Sequence, residues 1–146
     1  VKPVIERLKE TGWTFGSHTW GHIRLDSRPL ESVQRDTVRW AEEVGSLVGP
    51  TNILFYPHGG RPDGDDWHST GPVFQYLQSQ GFRIFASVGI NSFSYIKKDI
   101  SAVICDRLHP DGTTLRNGKA LEWYSQFYDA REIIDLDVRP DLGVTW

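Results

Sequence analysis

The sequence predicts an α/β domain in which helices alternate with the strands of a parallel sheet, and three observations carry that expectation. Helical and strand-like segments alternate along most of the chain. The strand-length run "NILFY" (52–56) is almost wholly apolar, as a strand covered on both faces is. The chemistry-bearing residues gather in "SHTWGH" and "YPHGG", directly after predicted strands, where α/β folds place their sites. A length of 146 residues suits one ordinary domain, and no repeat or linker divides it. The expected architecture is a barrel, or part of one, over 1–146.

The elements follow in order. Val4, Ile5 and Leu8 recur at helical spacing, and Thr11-Gly12 supplies a stop. "WTFGSH" is short, aromatic and bounded by glycine, which predicts a strand leading into a loop. From Pro29 to Val48 the apolar positions Leu30, Val33, Val38, Trp40, Ala41, Val44, Leu47 and Val48 predict a helix, with Ser27 as its cap and Gly49-Pro50 as its end. "NILFY" then runs into the turn-rich "PHGGRPDGDD", a loop of the length that usually carries function. The pattern repeats with the helix "STGPVFQYLQSQG", capped near Ser69 or Thr70, and the strand "FRIFASV". A further strand is expected at "SAVICDRL" and partial helix in "KALEWYSQFYDAREIIDL".

Composition narrows the function. With 38% hydrophobic and 24% charged residues the chain has the make-up of a soluble globular protein. Net charge is −3 and the 16 Lys and Arg are scattered, which argues against nucleic acid as a partner. No segment approaches the roughly 18 apolar residues that cross a bilayer. Cys105 excludes an internal disulfide and reads as a buried small hydrophobe. The chain contains no methionine and opens on "VKPVIERLKE", a helix already under way, so a piece of a longer or processed protein is expected.

His18 and His22, four residues apart, can face one ion if the backbone makes a single turn. Ser17 and Thr19 offer hydrogen bonds to orient the rings, and Trp20 offers a wall. The bland alternative is a pair of histidines satisfied by backbone carbonyls, with Trp20 in the core. Asp26 continues the spacing, but Gly21 and Arg28-Pro29 break any helix through all three positions, so a surface salt bridge or a helix-start carboxylate is the stronger expectation for Asp26.

The segment His18-Thr19-Trp20-Gly21-His22, with "LKETGWTFGSH" before it, resembles the histidine motif of the polysaccharide deacetylases, the NodB-homology group or carbohydrate esterase family 4. "LFYPHGG" resembles the next motif of that family, where an aromatic, a proline and a glycine line one side of the substrate groove, which implies groove roles for Tyr56, Pro57, His58 and Gly59. "LQSQGFRIFASVG" is similar to the helix and strand that follow.

The resemblance implies a distorted or partial (β/α) barrel of the NodB type that removes acetyl groups from a polysaccharide such as an N-acetylglucosamine polymer, peptidoglycan or acetyl-xylan. It implies a divalent metal, zinc by ligand chemistry, on His18 and His22, and a carbohydrate polymer as partner. It further implies a cell-envelope or secreted location. For the catalytic acid, His109 stands in "DRLHPDG" just beyond a predicted strand, either as that acid or as part of a Pro-Asp-Gly turn.

The departures from the family pattern are equally specific. Two aspartates are expected upstream of the histidine motif, and none of the 17 residues before His18 is Asp. Phe55 stands where an arginine is expected, with Arg61 as a substitute, and His58 stands where Tyr or Phe is commoner. The alternative function is therefore a catalytically inactive carbohydrate-binding or structural remnant of the same fold. His68, Trp67 and Trp13 read as a loop or cap residue and as core or sugar-stacking aromatics.

Overall fold

The computed structural model divides into two compact units, Val1–Leu108 and His109–Trp146. It describes residues 1–64, 71–88, 94–98 and 101–107, with 122, 125 and 126 in the second unit. Five expectations lie wholly or mostly outside these residues: His109, His68, Trp67, the cap at Ser69 or Thr70, and the helical segment at 119–136.

Helix α1 spans Lys2–Glu10 and is followed by Gly12 at φ +88, a backbone conformation that suits a residue without Cβ. Helix α2, Leu30–Trp40, continues through a π-helical segment, Ala41–Gly45, into the short α3, Ser46–Val48. The bulge has a visible steric partner. A Cβ at Gly45 would press on the buried Trp40 ring at 3.3 Å. The cap expected at Ser27 is not used: Pro29 occupies the N-cap, with no side-chain cap hydrogen bond.

Strands β1 (Ile53–Phe55), β2 (Ile84–Val88) and β4 (Ala102–Arg107) pair in parallel, in the order β1-β2-β4. The sequence pattern missed β3 (Ser94–Lys97), which lies antiparallel on the edge beside β4. "WTFGSH" forms less strand than expected. It contributes an isolated parallel bridge, in which Ser17 donates to the Ile53 carbonyl (2.9 Å) and accepts from the Phe55 amide (2.8 Å).

Ser17, β1 and β2 therefore add to the sheet in one direction, with α2 and then the helix α4 (Pro72–Ser79) as crossovers. Right-handed crossovers stepping one way put their helices on one face. The core agrees. The aligned residues Leu54, Phe85 and Ile104 are buried against Val33 of α2 and Phe74 and Leu77 of α4. Phe74 stacks on Phe85 with ring centroids 4.6 Å apart. Residues on the opposite face (Ile53, Phe55, Val103, Cys105) are only half-buried. The expectation that "NILFY" is buried on both faces is thus corrected: its apolar outer residues face a side that no described helix covers.

Helix α4 is held by a distant cap. The Asp63 carboxylate accepts from the amides of Val73 (3.2 Å) and Phe74 (2.9 Å). Gly71 leaves room for it, because a Cβ there would overlap that carboxylate. Asp63→Ala should lower stability by about 1 kcal/mol, and Asp63→Asn by less, since Asn still accepts and tolerates the left-handed φ of +57. Urea unfolding checks this through a lower midpoint at unchanged slope. An unshifted midpoint for Asp63→Ala would remove the cap from the account.

Candidate metal-binding histidine site

The site lies where the parallel strands end. Ser17 pairs with Leu54, so His18 falls beside Phe55 on the face away from α2 and α4, and Arg107 at the end of β4 shares that face. His18 Nδ1 donates to the Phe55 carbonyl at 2.8 Å. Because a carbonyl only accepts, this bond selects the tautomer with the proton on Nδ1 and leaves the Nε2 lone pair for a ligand.

The turn after His18 is not a helix. Thr19 and His22 both take left-handed backbone angles, φ +61 and +52, and polar side chains hold the loop there. Asp36 on α2 receives the amides of Trp20 (2.7 Å) and Gly21 (2.8 Å) on its two oxygens. Ser17 Oγ accepts from the Thr19 amide, and Thr19 Oγ1 accepts from Ile23. Ser17 and Thr19 thus orient the loop through its backbone. Trp20 is neither core nor site wall: its ring lies under the Arg39 guanidinium at 3.5 Å, and its Nε1 donates to Glu43.

The second loop brings a third imidazole. Tyr56 and Pro57 are buried, with Tyr56 fully inside the core, whereas His58 is exposed and Gly59 half-buried. Two hydrogen bonds to β2 fix the loop, from the Tyr56 amide to the Ala86 carbonyl (2.8 Å) and from Ser87 Oγ to the Gly59 carbonyl (3.2 Å). The ring centroids of His18 and His22 are 4.8 Å apart, and those of His22 and His58 4.5 Å. Among the described residues, no group of three or more His, Cys, Asp or Glu side chains has its donor atoms placed to hold a metal ion.

Burial lowers the His18 pKa below the usual imidazole value; the Phe55 hydrogen bond opposes this, and Arg107 and the other two histidines add to it. The ring therefore stays neutral, the metal-binding form, further into acid. Burial also pulls down the Arg107 pKa. Its guanidinium lies 5.9 Å from the Phe55 ring centroid, and its buried Nε has no hydrogen-bond partner among the described residues. Arg61, weighed as the stand-in for the arginine replaced by Phe55, reaches Asp106 at 3.4 Å. Asp26 makes the salt bridge expected of it, with Arg24, and its carboxylate lies against Gly60.

The sequence model of the polysaccharide deacetylases matches residues 2–83, more than half of the chain, including His18, His22 and the Tyr56–Gly59 segment. The chain belongs to the polysaccharide deacetylase family. No curated protein and no solved structure matched it. For a polysaccharide deacetylase the strand-end position of the histidines is the informative one. A cleft of about 570 Å³ lined by Trp13, Phe15, Asn52 and Gln80 lies at the opposite ends of the strands, away from these rings. Arg107 and Asp36 were not singled out from the sequence. Arg107 was legible as a charge ending an apolar strand, whereas nothing local marks Asp36 among the polar residues of α2.

Asp36→Ala should free the Trp20 and Gly21 amides, lower stability by about 1 kcal/mol and loosen the turn that carries His22. Faster amide exchange confined to residues 19–23 is the expected reading. Unchanged protection there would mean that Asp36 does not hold the turn.

Proposed function

We propose that this chain is a metal-dependent hydrolase that removes acetyl groups from a polysaccharide, on a partial (β/α) barrel whose one-way winding begins with Ser17, β1 and β2. The observation that carries the reading is the bond from His18 Nδ1 to the Phe55 carbonyl, because a metal-binding histidine characteristically donates its other ring nitrogen to such an acceptor. His18 and His22 would hold a divalent ion, zinc by preference for imidazole, which when bound supplies a Lewis acid for the acetyl carbonyl and acidifies water.

The protein's own groups prepare the site. Phe55 fixes the ring of His18, the Asp36-held turn presents His22, and Gly59 with its Ser87 anchor offers a tight backbone edge to a sugar. Arg107, on the same face as His18, would supply positive charge to stabilise the negative charge that develops on an attacked acetyl group. His109 is the acid proposed to protonate the departing amine or alkoxide. Substrates of this class lie in walls and extracellular matrices, so the protein would act in the cell envelope or outside the cell.

One observation favours a second reading, an inactive carbohydrate-binding remnant: Phe55 stands where the family motif carries an arginine. Acetate release decides between them. The protein in its full natural reading frame should release acetate from acetylated chito-oligosaccharides or acetyl-xylan, lose that activity with a chelator and regain it with zinc. Zinc binding without acetate release from any acetylated glycan would establish the second reading.

A further inference from the structure

We propose that the cleft at the start of the parallel strands is a second saccharide-binding site, in which the ring of Trp13 stacks on a sugar of a neutral polysaccharide. The inference goes beyond the proposed hydrolysis and takes only the glycan class from it, so its test reads binding rather than acetate release.

The platform comes from the way α1 ends. Gly12, at φ +88, donates its amide to the Lys9 carbonyl (2.9 Å), and Trp13 donates its own to the Leu8 carbonyl (3.0 Å), the paired bonds of a Schellman turn. The residue at the Trp13 position of such a turn commonly packs back onto the helix. Here the side chain is 66% exposed instead. A lone exposed tryptophan carries no message, but this one has a fixed backbone and borders a cavity.

The cavity has the size and lining of a binding site. Its volume is about 570 Å³, inside the range of roughly 300–1,000 Å³ that small-molecule sites occupy. Trp13 and Phe15 supply aromatic surface, while Thr14, Asn52 and Gln80 supply polar groups. Asn52 is held in place through its backbone, whose carbonyl accepts from the amides of Arg83 (2.8 Å) and Ile84 (3.0 Å). Its side-chain amide has no partner among the described residues, nor have the Trp13 indole N–H and the Thr14 hydroxyl. Among the described residues no carboxylate lines the cleft, and its one cation, Lys9, is paired with Glu6 at 3.4 Å.

These groups match a pyranose ring. The C–H face of a sugar is apolar and polarised, which suits the negative face of an indole, and its hydroxyls both donate and accept, as amide and hydroxyl side chains do. A phosphorylated or strongly acidic ligand would find no free cation here, and a wholly apolar one would strand the amides.

The cleft and the histidine turn lie at opposite ends of the strands, so a sugar in the cleft is not the one at the histidines. A polymer that reaches both is held by two contacts, and the first raises its effective concentration at the second.

The test is a proton–nitrogen NMR titration of the 146-residue chain with N-acetylchitotetraose and, separately, with xylotetraose. At least one of them should give saturable shifts at the Trp13 indole N–H and at the amides of Phe15, Asn52 and Gly81, and these should persist in His18→Ala. Trp13→Ala removes an exposed ring, and an unchanged urea midpoint certifies its fold. It should bind at least about tenfold more weakly, the scale of losing an aromatic anchor, with part of the affinity recovered in Trp13→Phe. Asn52→Ala, the second variant, should weaken binding as well. Wild-type affinity at the cleft in both Trp13→Ala and Asn52→Ala would overturn the proposal. So would the absence of saturable shifts at the cleft with either glycan, or shifts confined to the histidine turn, and both of these results would leave the proposed hydrolysis standing.

Discussion

The bond from His18 to the carbonyl of Phe55 ties the segment after α1 to the end of β1. It exists because Ser17 enters the sheet as a single bridge beside β1, which sets the residue after it next to Phe55 and turns its ring toward the outer face. Slipping that pairing by one residue would send His18 to the helix-covered side, where Leu54 and Phe85 fill the space. A contact made over only one residue is weak as sheet, so the chain reinforces it. Thr51 donates its hydroxyl to the Phe15 carbonyl at 2.7 Å, and Gly16 has no room for a Cβ against the Phe55 ring.

From that anchor the rest of the site is built of turns. Thr19, His22 and His58 all hold positive φ without being glycine, which costs each of them backbone energy and persists only where surrounding contacts insist on it. Those contacts are identifiable: the Asp36 carboxylate on two successive amides, the Thr19 hydroxyl on Ile23, and the β2 hydrogen bonds under the Tyr56–Gly59 loop. Helix α2 thus serves twice, burying Val33 in the core and presenting Asp36 to the histidine turn. Strand β2 likewise carries Phe85 inward and Ser87 to the second loop.

Much of this was legible in the residues. Helices α1, α2 and α4 announce themselves by spacing and by glycine or proline punctuation, and β1, β2 and β4 by apolar runs, because each depends on local patterning. His18, His22 and the loop at 57–60 stood out because they follow strands. Other features depend on partners distant in sequence and left no local mark: the π bulge under Trp40, the capping of α4 by Asp63, the seat of Asp36, and the approach of Arg107 to Phe55. The short β3 was missed because its four residues, Ser94–Lys97, include a lysine and a serine and take their order from pairing with β4. His58 was expected as part of a groove, and only the folded loop brings its ring against His22.

The central claim is that the turn carrying His18 and His22 holds the metal of the deacetylase activity proposed for this chain. Anomalous scattering from a crystal of the 146-residue chain soaked in zinc, collected on either side of the zinc edge, addresses it most directly. The account predicts a single strong peak about 2.1 Å from the Nε2 atom of His18, with His22 bound to the same peak and the His18 Nδ1 bond to Phe55 kept. Zinc bound elsewhere on the chain, with the His18 and His22 rings free of it, would contradict the account.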